Sequence, residues 1–304
     1  MGRLFDAYVI VDWSAASKPT TGVNSIWVGV LAPDARLKLQ FTAVNPETRL
    51  KARGFIQGII ERLTGRGDKV LLGFDFAFGF PDGTAEKLGL TKNNAAPWSA
   101  MQAHIADRMK DKEDNSNNRF ALAASMNYTL SGGPFPFWGA TSKKYVSNTL
   151  SDKKGDFAAS DVPEHRTSEL YLRDQKKGQP KSVWQLAYTG SVGGQTLTGL
   201  PHVRYLREAL PNARLWPFET GLQPLTPDEL EATQVLICEV YPSLVEVKPE
   251  PGEIVDAAQV RTLASRLAAL DEKGRLGQCF GPPDGLDSAQ IPQIEREEGW
   301  ILAE

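Results

Sequence analysis

The sequence predicts an α/β protein organised around one sheet, interrupted by a long irregular segment. Three observations carry this. Apolar β-branched runs and an amphipathic helical pattern follow one another in the order β-β-β-α-β. Regular elements lie at both ends of the 304 residues, with aromatic, Gly/Pro-rich material between them, which favours one interrupted domain over two in tandem. The composition, 41% hydrophobic and 23% charged, is that of an ordinary globular protein and excludes collagen, coiled coil, low-complexity and disulfide-scaffold classes.

Residues 7–11 (AYVIV) form a short run suited to a buried central strand. A polar turn containing Ser14, Ser17, Pro19, Thr20 and Gly22 leads to a second strand over 25–31 (SIWVGVL). After Pro33-Asp34, residues 36–44 (RLKLQFTAV) alternate polar and apolar as a third, so the first three strands make an antiparallel meander. In 46–63, Leu50, Phe55, Ile59, Ile60 and Leu63 recur near helical spacing, and Gly65 and Gly67 stop the helix. The strand 70–74 (VLLGF) then ends in Asp75 and FAFGFP. A plain doubly wound dinucleotide fold does not begin in this order.

Residues from about 82 to 183 read as an insertion or lid, partly mobile and without a core of its own. It holds a helix over 98–112, the polar run KDKEDNSNNR, the segment GGPFPFWGA and a Lys/Ser/Asp-rich stretch. Regular structure resumes with a helix over 202–210, strands over 213–218 and 235–240, and a helix over 256–270 striped by Val260, Leu263, Leu267 and Leu270. The closing GWILAE is consistent with a terminal strand.

With 34 Lys+Arg against 37 Asp+Glu, net charge -3, the whole chain carries no general electrostatic grip on nucleic acid, although a local basic groove stays open. Cys238 and Cys279 are too few for a disulfide framework and lack metal-ligand spacing. With no signal peptide and no run of about 18 apolar residues, the expectation is a cytoplasmic protein that does not enter membranes.

Acidic residues supply the candidate chemistry. Asp12 and Asp75 each end an apolar strand, Glu239 interrupts VLICEVYP, and Asp256 opens the last helix. Buried carboxylates are costly unless paired, hydrogen-bonded or metal-bound. Each has an ordinary explanation: loop hydrogen bonds for Asp12 and Asp75, an ion pair for Glu239, and a capping box with Gln259 for Asp256. Three acidic interruptions of apolar strands together point to a site. Oxygen ligands of this kind suit Mg²⁺ or Mn²⁺, and two such ions about 4 Å apart can clamp a phosphodiester. Zinc is disfavoured, because His104, His165 and His202 are scattered and no HExxH or CxxC occurs.

Ser14, Ser17 and Lys18 in the first turn are candidates for holding phosphate, against the reading of an ordinary hairpin turn; no Walker or GxGxxG motif is present. Arg166 can grip an oxyanion, or form an i,i+3 surface pair with Glu169. Residues 191–195 (SVGGQ) offer a close backbone approach or a flexible turn. Trp98, Phe135, Phe137 and Trp138 suit core or lid packing better than base stacking.

The succession VDWSAAS, LLGFDFAFGFP, RTSE, VGGQTLTG, CEVYP and a helix opened by Asp256 resembles the bacterial and archaeal family of predicted RNase H-like nucleases (domain of unknown function 429). The matching positions are Asp12, Asp75 with Pro81, Arg166 with Glu169, Glu239 with Pro242, and Asp256 with Ala257 and Ala258. Trp13, Phe76 and Phe78 are bulkier than that pattern has. The resemblance implies an RNase H-like mixed five-stranded sheet flanked by helices, its first three strands antiparallel. It also implies a metal-dependent nuclease or phosphohydrolase. Asp12, Asp75, Glu239 and Asp256 would hold Mg²⁺ or Mn²⁺ and activate water, Ser14, Ser17, Lys18, Arg166 and Glu169 would serve the phosphate, and the partner would be nucleic acid or a nucleotide. Two other classes fit the same elements: an ATPase-like nucleotide binder of the actin and sugar-kinase type, and a non-catalytic ligand-binding protein on the same fold.

Overall fold

In the computed structural model, residues 2–92 and 94–303 are described; Met1, Asn93 and Glu304, the last residue of the expected terminal strand, lie outside them. The first elements are β1 (Ala7–Asp12), β2 (Trp27–Pro33), β3 (Leu39–Val44), α1 (Arg49–Thr64) and β4 (Val70–Phe74). β1 pairs antiparallel with β2, and β2 with β3, so the expected meander is present. Thr48 caps α1, its side chain accepting the Lys51 N–H, which sets the helix start after the four-residue link 45–48 that follows β3.

The chain continues through α2 (Thr84–Lys87), α3 (Pro97–Arg108), α4 (Arg119–Ser131), α5 (Thr167–Asp174) and α6 (Gly193–Ala209). It closes with β5 (Ala213–Leu215), β6 (Val235–Val240), α7 (Val255–Glu272) and β7 (Ile301–Leu302). The sheet order is β3-β2-β1-β4-β6-β5, with β7 also paired to β6. β1, β4 and β6 are mutually parallel neighbours.

The sheet has seven strands, the number the residue pattern places, where the family resemblance implies five. The two additional strands are short and share one edge: β5 pairs with residues 235–237 of β6 and β7 with residues 239–240. Three further expectations are revised. The α6 helix begins at Gly193, nine residues before the predicted start, and carries Pro201 inside it. The α4 helix occupies a stretch in which no helix is predicted. The last helix is capped by Ile254 without a side-chain bond, which places Asp256 inside its first turn and excludes the capping box.

Strand periodicity divides the core in two. Val9, Val11, Val28, Leu72, Phe74 and Ile237 face α1 and α6. Tyr8, Ile10, Leu71, Leu236 and Cys238 face α7, whose stripe of Val260, Leu263, Leu267 and Leu270 is buried against them. Close approach of α7 to the sheet needs Gly29, since a Cβ there would lie 2.9 Å from the Val260 side chain. Buried residues of the segment after β4, among them Met101, Phe120, Met126, Phe137 and Trp184, join the α1/α6 core. Among the described residues, no helix is long and apolar enough to cross a membrane.

Candidate active site

Three adjacent parallel strands deliver acids to one end of the sheet. In register, Val11 lies beside Phe74, and Phe74 beside Glu239, so Asp12, Asp75 and Glu239 emerge at the carboxyl ends of β1, β4 and β6. Crevices at that end of a sheet are where open α/β proteins bind ligands. The first turn of α7 brings Asp256 to the same place, and all four acids line one cleft of about 730 Å³.

Asp12 and Asp75 share a side-chain hydrogen bond, and both feel the charge of Asp256. Asp75 Oδ1 also accepts the Trp13 N–H at 2.7 Å, which fixes its orientation. Burial, then the charges of Asp75 and Asp256, push the Asp12 carboxyl well above the usual range. Burial likewise pushes Asp75 up to about 7, against the Trp13 hydrogen bond that lowers it. Two adjoining carboxylates cannot both ionise cheaply, so burial and their mutual repulsion favour a proton shared by the pair. The aromatic residues beneath explain the burial. Trp13 packs on Phe74, Phe76 and His202 at 5.9, 6.0 and 5.2 Å between ring centres. The bulky residues of the two acidic loops thus form the apolar floor of the site.

Asp256 Oδ2 accepts the Asn24 N–H at 2.6 Å, and Oδ1 faces no donor among the described residues. Glu239 differs. Arg166 binds both of its oxygens, Nη1 to Oε2 at 2.7 Å and Nη2 to Oε1 at 2.6 Å, and the Phe78 N–H donates to Oε2 at 3.2 Å. Arg166 Nε reaches Glu169 at 2.9 Å, and Nη1 also donates to the Glu298 carbonyl. Arg166 and Glu169 are each 1% exposed, so their pair is an interior one and not the surface pair considered from sequence. With its guanidinium committed to protein acceptors, Arg166 is a bolt between α5 and β6 and not a grip for phosphate. Burial works against its charge, yet Glu239 and Glu169 outweigh that and raise its pKa. Glu239 ranks as the buried partner of that bolt, which leaves Asp12, Asp75 and Asp256 as the acids open to a ligand.

The first turn splits. Ser14 lines the cleft, its hydroxyl donating to the Asn24 carbonyl at 3.3 Å. Ser17 accepts from Arg119 Nη1 at 2.8 Å, and Lys18 is exposed outside the cleft lining. Arg49 braces the turn from below, donating to the carbonyls of Ser14 and Ala16 at 3.0 and 2.7 Å while paired with Asp111. His202 is a core residue facing Asp111 at 3.2 Å.

Sequence reasoning missed Arg119, and it placed residues 191–195 as a close backbone approach or a turn without the helix that starts there; both line the cleft. Arg119 ends a polar run in which Lys112, Glu113 and Asp114 are solvent-facing, and the helix that begins there turns it inward. The 191–195 segment is the α6 N-terminus, and Gln195 Nε2 donates to the Trp13 carbonyl.

Among the described residues, no group of three or more His, Cys, Asp or Glu side chains is placed to hold a metal ion. The Asp12/Asp75 pair nevertheless fits an ion such as Mg²⁺, which binds through one or two carboxylates and keeps several waters. Comparison with protein-family models, curated proteins and solved structures finds no match for the chain.

Proposed function

We propose that this protein is a divalent-metal-dependent hydrolase of phosphate esters, acting on a nucleic acid or a nucleotide. One observation carries the reading: two adjoining carboxylates, Asp12 and Asp75, stand at the ends of neighbouring parallel strands with no basic side chain between them. Such a pair is repulsive unless it holds a proton or a cation. A bound Mg²⁺ or Mn²⁺ would stabilise negative charge on phosphate oxygens and acidify water.

The chain's own contributions follow from its geometry. Asp12 and Asp75 would hold the cation, and the pair would give up its shared proton to do so. The Trp13 N–H holds Asp75 Oδ1 in place. Asp256, anchored through Oδ2 to Asn24, presents Oδ1 as an acceptor for a proton or a further ligand. The aromatic floor excludes water from one side of the pair. The strand path β3-β2-β1-β4-β6 agrees with an RNase H-like sheet, to which β5 and β7 would be additions, and supports the same reading by analogy. The cleft volume lies in the range of small-molecule sites and suits a nucleotide or a short stretch of single strand.

The test is hydrolysis of single-stranded RNA, single-stranded DNA, nucleotides and an aryl phosphate in Mg²⁺, in Mn²⁺ and in EDTA. The expected result is metal-dependent cleavage of at least one substrate. Asp12→Asn should lower it by more than about a hundredfold, because even residues behind metal ligands are worth 10–100-fold. Nucleotide binding without turnover under every condition would favour the non-catalytic binding protein instead.

A further inference from the structure

Arg119 is 8% exposed, and its guanidinium forms no ion pair among the described residues. Both of its side-chain hydrogen bonds leave from Nη1, to Ser17 Oγ at 2.8 Å and Asn117 Oδ1 at 3.0 Å. Nε is buried without a partner, and Nη2 makes no hydrogen bond among the described residues. The unoccupied Nε–Nη2 edge is the one with which arginine grips oxyanions side-on. The guanidinium lies over the Phe120 ring at 4.4 Å, which fixes its plane.

This edge meets the start of the 17-residue helix α6. A Cβ at Gly194 would lie 3.5 Å from Arg119 Nε, 3.2 Å from the Ala15 side chain and 2.6 Å from the Leu186 carbonyl. Only glycine lets the arginine, the first turn and the helix N-terminus come together here. The Gly193 amide is used by the Gln185 carbonyl and the Thr196 amide by the Val192 carbonyl. The Gly194 and Gln195 amides between them make no hydrogen bond among the described residues. Free helix N-terminal amides and their dipole favour an anion. Both residues line the same cleft as Arg119 and the acids.

We propose that Arg119 and the first turn of α6 form a seat for a phosphate group, beside the Asp12/Asp75 pair. The seat goes beyond the hydrolase reading and does not depend on it, because it uses no carboxylate and needs no cation. It also replaces Lys18 as the cationic partner of phosphate. Desolvation, and then the nearby Arg49, lower the Arg119 pKa to about 10, as expected for a cation short of a counter-charge.

The test is titration of the full chain with inorganic phosphate in EDTA, followed by backbone amide NMR. The expected result is saturable shifts led by Gly194 and Gln195. Arg119→Gln should weaken binding by roughly tenfold or more, the scale of a lost charged hydrogen bond. Arg119→Lys should restore part of it, and Lys18→Ala should leave it unchanged. If Arg119→Gln does not fold, the wild-type shifts decide. No saturable binding, shifts centred elsewhere, or loss of binding in Lys18→Ala would overturn the seat. Arms with a nucleoside 5′-monophosphate and a dinucleoside monophosphate separate a terminal phosphate from a strand phosphate as its source. Failure of the hydrolase reading appears separately, as absence of Mn²⁺-induced broadening at Asp12 and Asp75.

Discussion

Replacing Arg166 by methionine is expected to destabilise the protein by about 3–5 kcal/mol, the cost of removing one partner from a buried ion pair. Arg166 satisfies both oxygens of Glu239 and one of Glu169, all in the interior. Burial already holds the Glu239 pKa above its ordinary value in spite of Arg166. Without the guanidinium, Glu239 must take up a proton or stay charged and unpaired. Urea unfolding of Arg166→Met measures the loss. Adding Glu239→Gln to that variant should recover a large part, because it removes the orphaned charge, and the two effects should be strongly non-additive. A loss below about 1 kcal/mol, the scale of an exposed pair, would contradict an interior role for Arg166.

The second large effect has the opposite sign. Asp75→Asn is expected to stabilise the metal-free protein at pH 7 by roughly 2 kcal/mol, a discounted share of a three-unit shift at 1.36 kcal/mol per unit. The native Asp75 titrates near 7, whereas an unfolded aspartate titrates near 3.9. Between those values the native state keeps a proton that the unfolded chain releases. Stability contributed by this group is therefore full below about pH 4 and lost as pH rises through 7. Asparagine keeps the Oδ1 acceptor for the Trp13 N–H and removes the charge. Stability measured from pH 4 to 8 should fall in the wild type across that window and be flatter in Asp75→Asn. A steeper fall in the variant would contradict the shared-proton account.

The strands and their acids were readable because they depend on local pattern. The apolar runs ending in Asp12 and Asp75, the VLICEV strand with Glu239 and the stripe on α7 all appear where periodicity places them. Pairings between distant segments were not readable. Arg166 and Glu239 are 73 residues apart, and nothing local distinguishes a buried Arg-x-x-Glu from a surface one. The α6 start was missed because Gly193 and Gly194 are poor helix formers and Pro201 normally marks a first turn. Packing of Leu197, Leu200, Val203 and Leu206 against the sheet outweighs those preferences. Arg119 was hidden for a related reason: its neighbours are polar, and its role arises only from the helix that seats it beside Gly194.

The central claim is that Asp12 and Asp75 hold a divalent cation. Its most direct test is thermal unfolding of the wild type, Asp12→Asn and Asp75→Asn in EDTA, Mg²⁺ and Mn²⁺. A cation that binds only the native state raises the midpoint by mass action. The wild type should therefore shift upward, more at pH 8 than at pH 6, because the cation must displace the shared proton. Neither variant should shift to the same extent. An unchanged wild-type midpoint at both pH values, or an equal rise in all three proteins, would contradict the account.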